Sequence, residues 1–225
     1  MKPTVFDARA ARAYTDGPPR QVPGYSSLHN MVSLLLAERT PPDGRVLVLG
    51  AGGGQELKAL AETHPGWSFD GVDPSRDMLR LASDVVRPHA ARMRFHQGYI
   101  DDAPSGPFDA ATSILIFHFI SRDQRPETLK QVRARLKVGA PFVLVHLSFS
   151  QTEPERSIWI DRHLAFGRSN GLEPADADSA RRAISSGLTI LSPDEDVAML
   201  RSAGFSNASL FYAGLSLKGW IAYAE

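Results

Sequence analysis

Arg45-Val46-Leu47-Val48-Leu49-Gly50-Ala51-Gly52-Gly53-Gly54-Gln55-Glu56-Leu57 is an apolar, β-prone run that breaks into glycines and resumes with helix formers. That order predicts a strand, a tight turn and a helix start. Glycine at Gly50, Gly52 and Gly54 allows positive φ and lets a ligand lie against bare backbone, beside the amides of a helix N-terminus. Such a turn suits a nucleotide-like ligand. The dinucleotide fingerprint G-x-G-x-x-G would need a further glycine at Gln55 or Leu57, depending on register, and neither position has one. A purely structural glycine turn is the plain alternative.

Downstream residues favour the ligand. After a helix over 56–63 and a second strand over 67–72, Asp73 stands at the strand end, at about the ~20-residue interval where Rossmann-type folds place the acid that accepts ribose hydroxyls. A capping aspartate ahead of Pro74-Ser75 is the alternative. The spacing G-x-G-x-G fits S-adenosylmethionine (SAM) better than a nicotinamide cofactor, which leaves an NAD-dependent oxidoreductase disfavoured.

Outward from this centre, the 225 residues suit one large domain, and an apolar fraction of 43% is enough for a substantial core. Lys plus Arg equals Asp plus Glu at 25 each, so no global field draws the chain to nucleic acid or a membrane. The absence of cysteine removes disulfides, thiolate metal sites and cysteine nucleophiles together, and no metal site is expected. Met1-Lys2-Pro3-Thr4-Val5-Phe6-Asp7 has no apolar signal core, and the longest largely apolar run, 110–120, is short of the ~20 residues of a membrane helix. The expectation is a soluble, cytoplasmic protein with a small-molecule substrate, and a homodimer as its assembly.

In chain order, residues 1–44 read as N-terminal helices, one over 5–14 and one starting near Ser26, with Tyr25 in the turn ahead of the second. Met93 to His96 make a short third strand leading to Tyr99 and Ile100. Residues 108–120 read as a buried fourth strand that carries Ser113, Ile114 and then Phe117-His118-Phe119 to the ligand edge of the sheet. There aromatic faces suit a sulfonium, although a histidine among aromatics also reads as a core residue. A helix over 125–137 and a strand over 142–147 follow. Residues 148–192 then intervene with helical patterning and read as a lid, because a structureless excursion of that length would be unusual. A last helix and an antiparallel hairpin, 206–212 with 216–223, close the chain.

Strands alternating with helices and a terminal hairpin resemble the class I SAM-dependent methyltransferase fold, seven-stranded and Rossmann-like, over nearly the whole chain. Within it, Phe6-Asp7, Arg20-x-Val22-Pro23-Gly24-Tyr25, Arg168-x-Asn170-Gly171 and Leu200-x-x-Ala203-Gly204-Phe205 are similar to signatures of the carboxy-S-adenosylmethionine synthase family of tRNA wobble-uridine modification. The resemblance implies cofactor contacts at Tyr25, at Gly50, Ala51, Gly52 and Gly54, at Asp73 and Pro74, at Tyr99 and Ile100, and at Ser113 and Ile114. It places the arginine that grips the extra carboxylate of carboxy-SAM at Arg181, with Arg182 one residue away. Three positions depart from the family pattern. Val48 stands where an acid precedes the glycines, Ile114 replaces an asparagine, and Tyr99 replaces an acid.

These readings make a SAM-dependent methyltransferase acting on a small molecule the leading expectation, with SAM as cofactor and S-adenosylhomocysteine as product. A carboxy-SAM synthase-like enzyme and a non-catalytic SAM-binding module are the alternatives, the latter motivated by Val48 and Ile114. No catalytic residue is fixed by the sequence; Tyr25, His118 and Arg181 are the candidates.

Overall fold

A computed structural model describes residues 17–225. The helix expected over 5–14, with Phe6 and Asp7, lies outside the described residues.

Helices α1 (Gly17–Gln21) and α2 (Tyr25–Ala37) precede strand β1 (Arg45–Leu49). Then come α3 (Gln55–Thr63), β2 (Ser68–Asp73), α4 (Arg76–Val85), β3 (Met93–Gln97), β4 (Ala110–Ile114), α5 (Arg125–Ala134) and β5 (Pro141–Leu147). Helices α6 (Glu155–Ser169), α7 (Pro174–Arg182) and α8 (Pro193–Ser202) lead to β6 (Phe205–Gly214) and β7 (Leu217–Ala224). The sheet has seven strands in the order β3-β2-β1-β4-β5-β7-β6, with β1 to β5 parallel and β7 antiparallel to both of its neighbours.

The period-2 alternation of β1 decides how the sheet is covered. Val46 and Val48 join Leu28, Val32 and Leu36 of α2 and Leu57 and Leu60 of α3 in one core. Leu47 and Leu49 join Leu129 and Val132 of α5 and Leu200 of α8 in the other. Both faces are therefore dry, as a parallel sheet requires. Strand order reverses between β1 and β4, and the crevice at their C-terminal ends is the natural ligand position in such a sheet.

The fourth strand is shorter than the sequence suggests. It stops at Ile114, because Leu115 takes a left-handed conformation (φ 63°) and Phe117–Phe119 form a 3₁₀ turn. Phe117 is buried in the second core, while His118 and Phe119 turn toward the crevice. The helix read over 125–137 likewise ends at Ala134, and the first hairpin strand, β6, runs longer than expected while β7 keeps its expected length.

The 148–192 segment is helical throughout its middle, and its base is pinned. Phe149 N–H donates to Leu191 O at 3.1 Å, and Ser148 pairs with Leu191 as an isolated parallel bridge.

Candidate active site

The glycine turn is held from both sides. Gly50 and Ala51 donate their N–H groups to Val72 O at 2.8 and 2.9 Å, which lashes the turn to the end of β2. Gly50, Gly52 and Gly54 have φ of 82°, 49° and 80°, so the three glycines singled out in the sequence are the three left-handed positions. Space also requires two of them: a Cβ on Gly50 would stand 2.1 Å from the Ile116 side chain, and one on Gly54 would stand 2.8 Å from the Ala82 backbone.

Asp73 ties this turn to the next. Its Oδ2 accepts Gly52 N–H at 3.0 Å and its Oδ1 accepts Ser75 N–H at 2.9 Å. The cap of α4 is Ser75, which accepts Met78 N–H at 3.2 Å, so Asp73 is not the capping residue. Each carboxylate oxygen keeps unused acceptor capacity toward the crevice. Burial pushes the Asp73 carboxyl up, and the two backbone amides oppose that shift.

The crevice opens into a cavity of about 1050 Å³. Its floor includes Gly50, Gly52, Asp73, Tyr99, Leu115 and His118, and its roof includes Gln21 and Val22 of the N-terminal arm with Leu172, Ala180 and Ile184. Among its described lining residues there is no lysine or arginine, whereas Asp73, Asp101, Asp123, Glu127 and Asp176 all contribute. Tyr99 is 45% exposed at one wall, where Asp102 Oδ2 accepts its backbone N–H at 2.9 Å.

His118 and His163 are the titratable bases at the wall. Burial first, then the neighbouring His146, Arg125 and His163, hold His118 well below its ordinary value. Leu147 N–H donates to His118 Nδ1 at 3.4 Å, so the neutral ring carries its proton on Nε2 and cannot accept one there. Burial lowers His163 to about 4, and its Nδ1 lies 2.7 Å from Ser216 Oγ.

A second, smaller cavity of about 20 Å³ adjoins the glycine turn and shares Gly50 and Leu115 with the first. Tyr25, His29, Ala51, Gly54, Glu56 and Ile114 line it.

The residues expected from the sequence thus divide. Gly50, Gly52, Asp73, Pro74, Tyr99, Ile100 and His118 line the large cavity, whereas Tyr25, Ala51, Gly54 and Ile114 line the small one. Two expectations are corrected. Ser113 points into the sheet, where its Oγ donates to Leu49 O at 3.1 Å, and it reaches neither cavity. Arg181 is half-exposed on α7 and paired with Asp161 at 2.5 Å, and it lines neither cavity. Glu56, His29 and His163 were missed. Glu56 had a signal, because it stands one helical turn before Leu60 on the buried side of α3.

Residues 47–142 match the family profile described as a methyltransferase domain. The structure also superposes on an O-methyltransferase family protein from Burkholderia thailandensis with a TM-score of 0.70 at 18% identity, over 100% of this chain and 64% of that one. The fold is that of the class I SAM-dependent methyltransferases. Human N-acetylserotonin methyltransferase in complex with SAM superposes with a TM-score of 0.57 at 14% identity, over 85% of this chain and 51% of that one. The chain therefore spans less than two thirds of either solved methyltransferase. The carboxy-S-adenosyl-L-methionine synthase of Aeromonas hydrophila is 24% identical over 221 residues, 96% of this chain and 89% of that protein. No metal-binding cluster and no helix long and apolar enough to cross a membrane occur among the described residues.

Proposed function

We propose that the protein transfers the methyl group of SAM to a small acceptor that is neutral or positively charged. The observation that supports this most is the electrostatics of the large cavity, with five carboxylates and no lysine or arginine among its described lining residues. A sulfonium is a cation and an acidic cavity favours it, while an anionic acceptor would meet like charge. The volume of about 1050 Å³ is at the upper end for small-molecule sites, enough for donor and acceptor together.

In this reading the free lone pairs of Asp73 take the ribose hydroxyls, and Tyr99 and Ile100 flank the adenine. Methyl transfer is an in-line displacement, so the protein chiefly aligns the two reactants and excludes water. Neither cavity histidine is a strong base at neutral pH, which fits a reaction driven by alignment.

The similarity to carboxy-SAM synthases favours a second reading, in which the donor carries an extra carboxylate. That carboxylate needs a cation. Arg181 is turned outward onto Asp161, which argues for the ordinary donor. Mass spectrometry of ligand released from purified protein should find SAM or S-adenosylhomocysteine, with the signal lost in Asp73→Ala. A donor heavier than SAM by one carboxyl group would overturn the methyltransferase reading in favour of the synthase. Bound SAM with no turnover on any amine or hydroxyl acceptor would favour a non-catalytic binding module.

A further inference from the structure

The small cavity contains a carboxyl oxygen that the fold leaves unanswered. Glu56 is 7% exposed, and its Oε1 has no hydrogen-bond partner among the described residues. A buried carboxylate oxygen without a partner is costly, so it persists where something else answers it. Burial raises the Glu56 carboxyl to about 7, and the Thr112 hydroxyl opposes that shift from beside it, although neither Glu56 Oε1 nor Thr112 Oγ1 makes a hydrogen bond of ordinary geometry among the described residues.

The position of this carboxylate is informative. Val48 pairs with Thr112 across β1 and β4, and Val48 faces the same core as α3. The side chain of Glu56 thus reaches the Val48–Thr112 pair from the helix, placing an acid where the strand itself has only valine. The cavity is about 20 Å³, room for one water-sized group, and an ammonium is of that size. It adjoins Gly50 and Leu115, which it shares with the large cavity, so a chain lying along the glycine turn reaches it. Tyr25 and His29 complete the lining with further acceptors, and no lysine or arginine stands among its described lining residues.

We propose that Glu56 is the counter-ion for the α-ammonium of the donor's methionine part, with Tyr25 and His29 completing its socket. This rests on the donor-site reading given above. Glu56 is a binding residue in this assignment and takes no part in the displacement.

The test uses calorimetry with two probes, S-adenosylhomocysteine and its analogue lacking only the amino group, on wild type and Glu56→Gln. Wild type should prefer S-adenosylhomocysteine by roughly ten- to a hundredfold, the worth of one charge-assisted contact. Glu56→Gln should weaken S-adenosylhomocysteine alone and so erase the preference. Should the variant not fold, the wild-type preference read from about pH 8 to about pH 5 serves instead, because protonating Glu56 should shrink it. The titratable groups facing Glu56 are Tyr25, raised to about 12, and His29, lowered to about 4, both from α2, and neither changes charge in that range. Its other neighbours, Val48, Thr112 and Ile114, do not titrate. Wild type that binds S-adenosylhomocysteine without preferring it, or a preference that survives Glu56→Gln or stays flat with pH, overturns the assignment. Wild type that binds neither probe overturns the donor-site reading instead.

Discussion

Glu56 makes a prediction about the protein without ligand. An acid whose pKa is raised on folding holds, in the native state, a proton that the unfolded chain releases. For Glu56 the two values are 4.5 and about 7, so native stability falls as pH rises between them and the full penalty stands above the upper one. At ~1.4 kcal/mol per unit the penalty is about 3 kcal/mol. His29 and His163, both lowered to about 4, act in the opposite direction below 6.5, because the unfolded chain then binds the extra protons. Comparing wild type with Glu56→Gln cancels them. Thermal melts of the unliganded proteins at about pH 5 and about pH 8 should show the glutamine variant gaining relative to wild type at the higher pH. A gap that does not change would mean that Glu56 titrates normally. The places of individual residues were only partly legible in the sequence. Gly50, Gly52, Gly54 and Asp73 were readable because backbone geometry demands glycine and a strand end demands a polar stop. Arg181 was not, because one step along a helix turns a side chain by about 100°, and spacing in sequence does not say which way α7 lies on its neighbours.

At the scale of elements, the same limit explains β4. The run from Leu115 to Ile120 has strand-like composition, and a buried strand and a buried 3₁₀ turn look alike in hydrophobicity. Leu115 in a left-handed conformation ends the strand, a local geometry that composition does not encode. The helical character of residues 148–192 was legible, and its packing makes the lid testable. Helix α6 buries Ile160, His163, Leu164 and Gly167, whereas α7 buries Ala177 alone. The Arg181–Asp161 pair between them is exposed, so it adds little. Limited proteolysis of the unliganded protein should therefore cut first around α7, and S-adenosylhomocysteine should protect that stretch. Cleavage elsewhere first, without protection on binding, would remove the lid assignment.

Across the whole molecule, charge balance conceals an uneven distribution. The chain carries 25 basic and 25 acidic residues, yet its large cavity gathers carboxylates and no lysine or arginine among the described lining residues. The two halves of the sheet also differ in what they offer. The β1–β4 half supplies the glycine turn and Asp73, fixed by backbone hydrogen bonds, and the segment after β5 supplies most of the roof. The pinned base of that segment has a consequence for how such a protein diversifies. With Ser148 and Leu191 already joined, the ends of the segment stay closed whatever is threaded between them, provided the apolar contacts that Ile160 and Leu164 make with the sheet are kept, and the entropy of a closed loop rises only slowly with its length. Residues 148–192 are then an exchangeable cassette: grafting the corresponding stretch of another methyltransferase between the same two anchors should change which acceptors are methylated while leaving affinity for S-adenosylhomocysteine within a few-fold. A chimera that folds but no longer binds it would show that the donor half depends on its own roof.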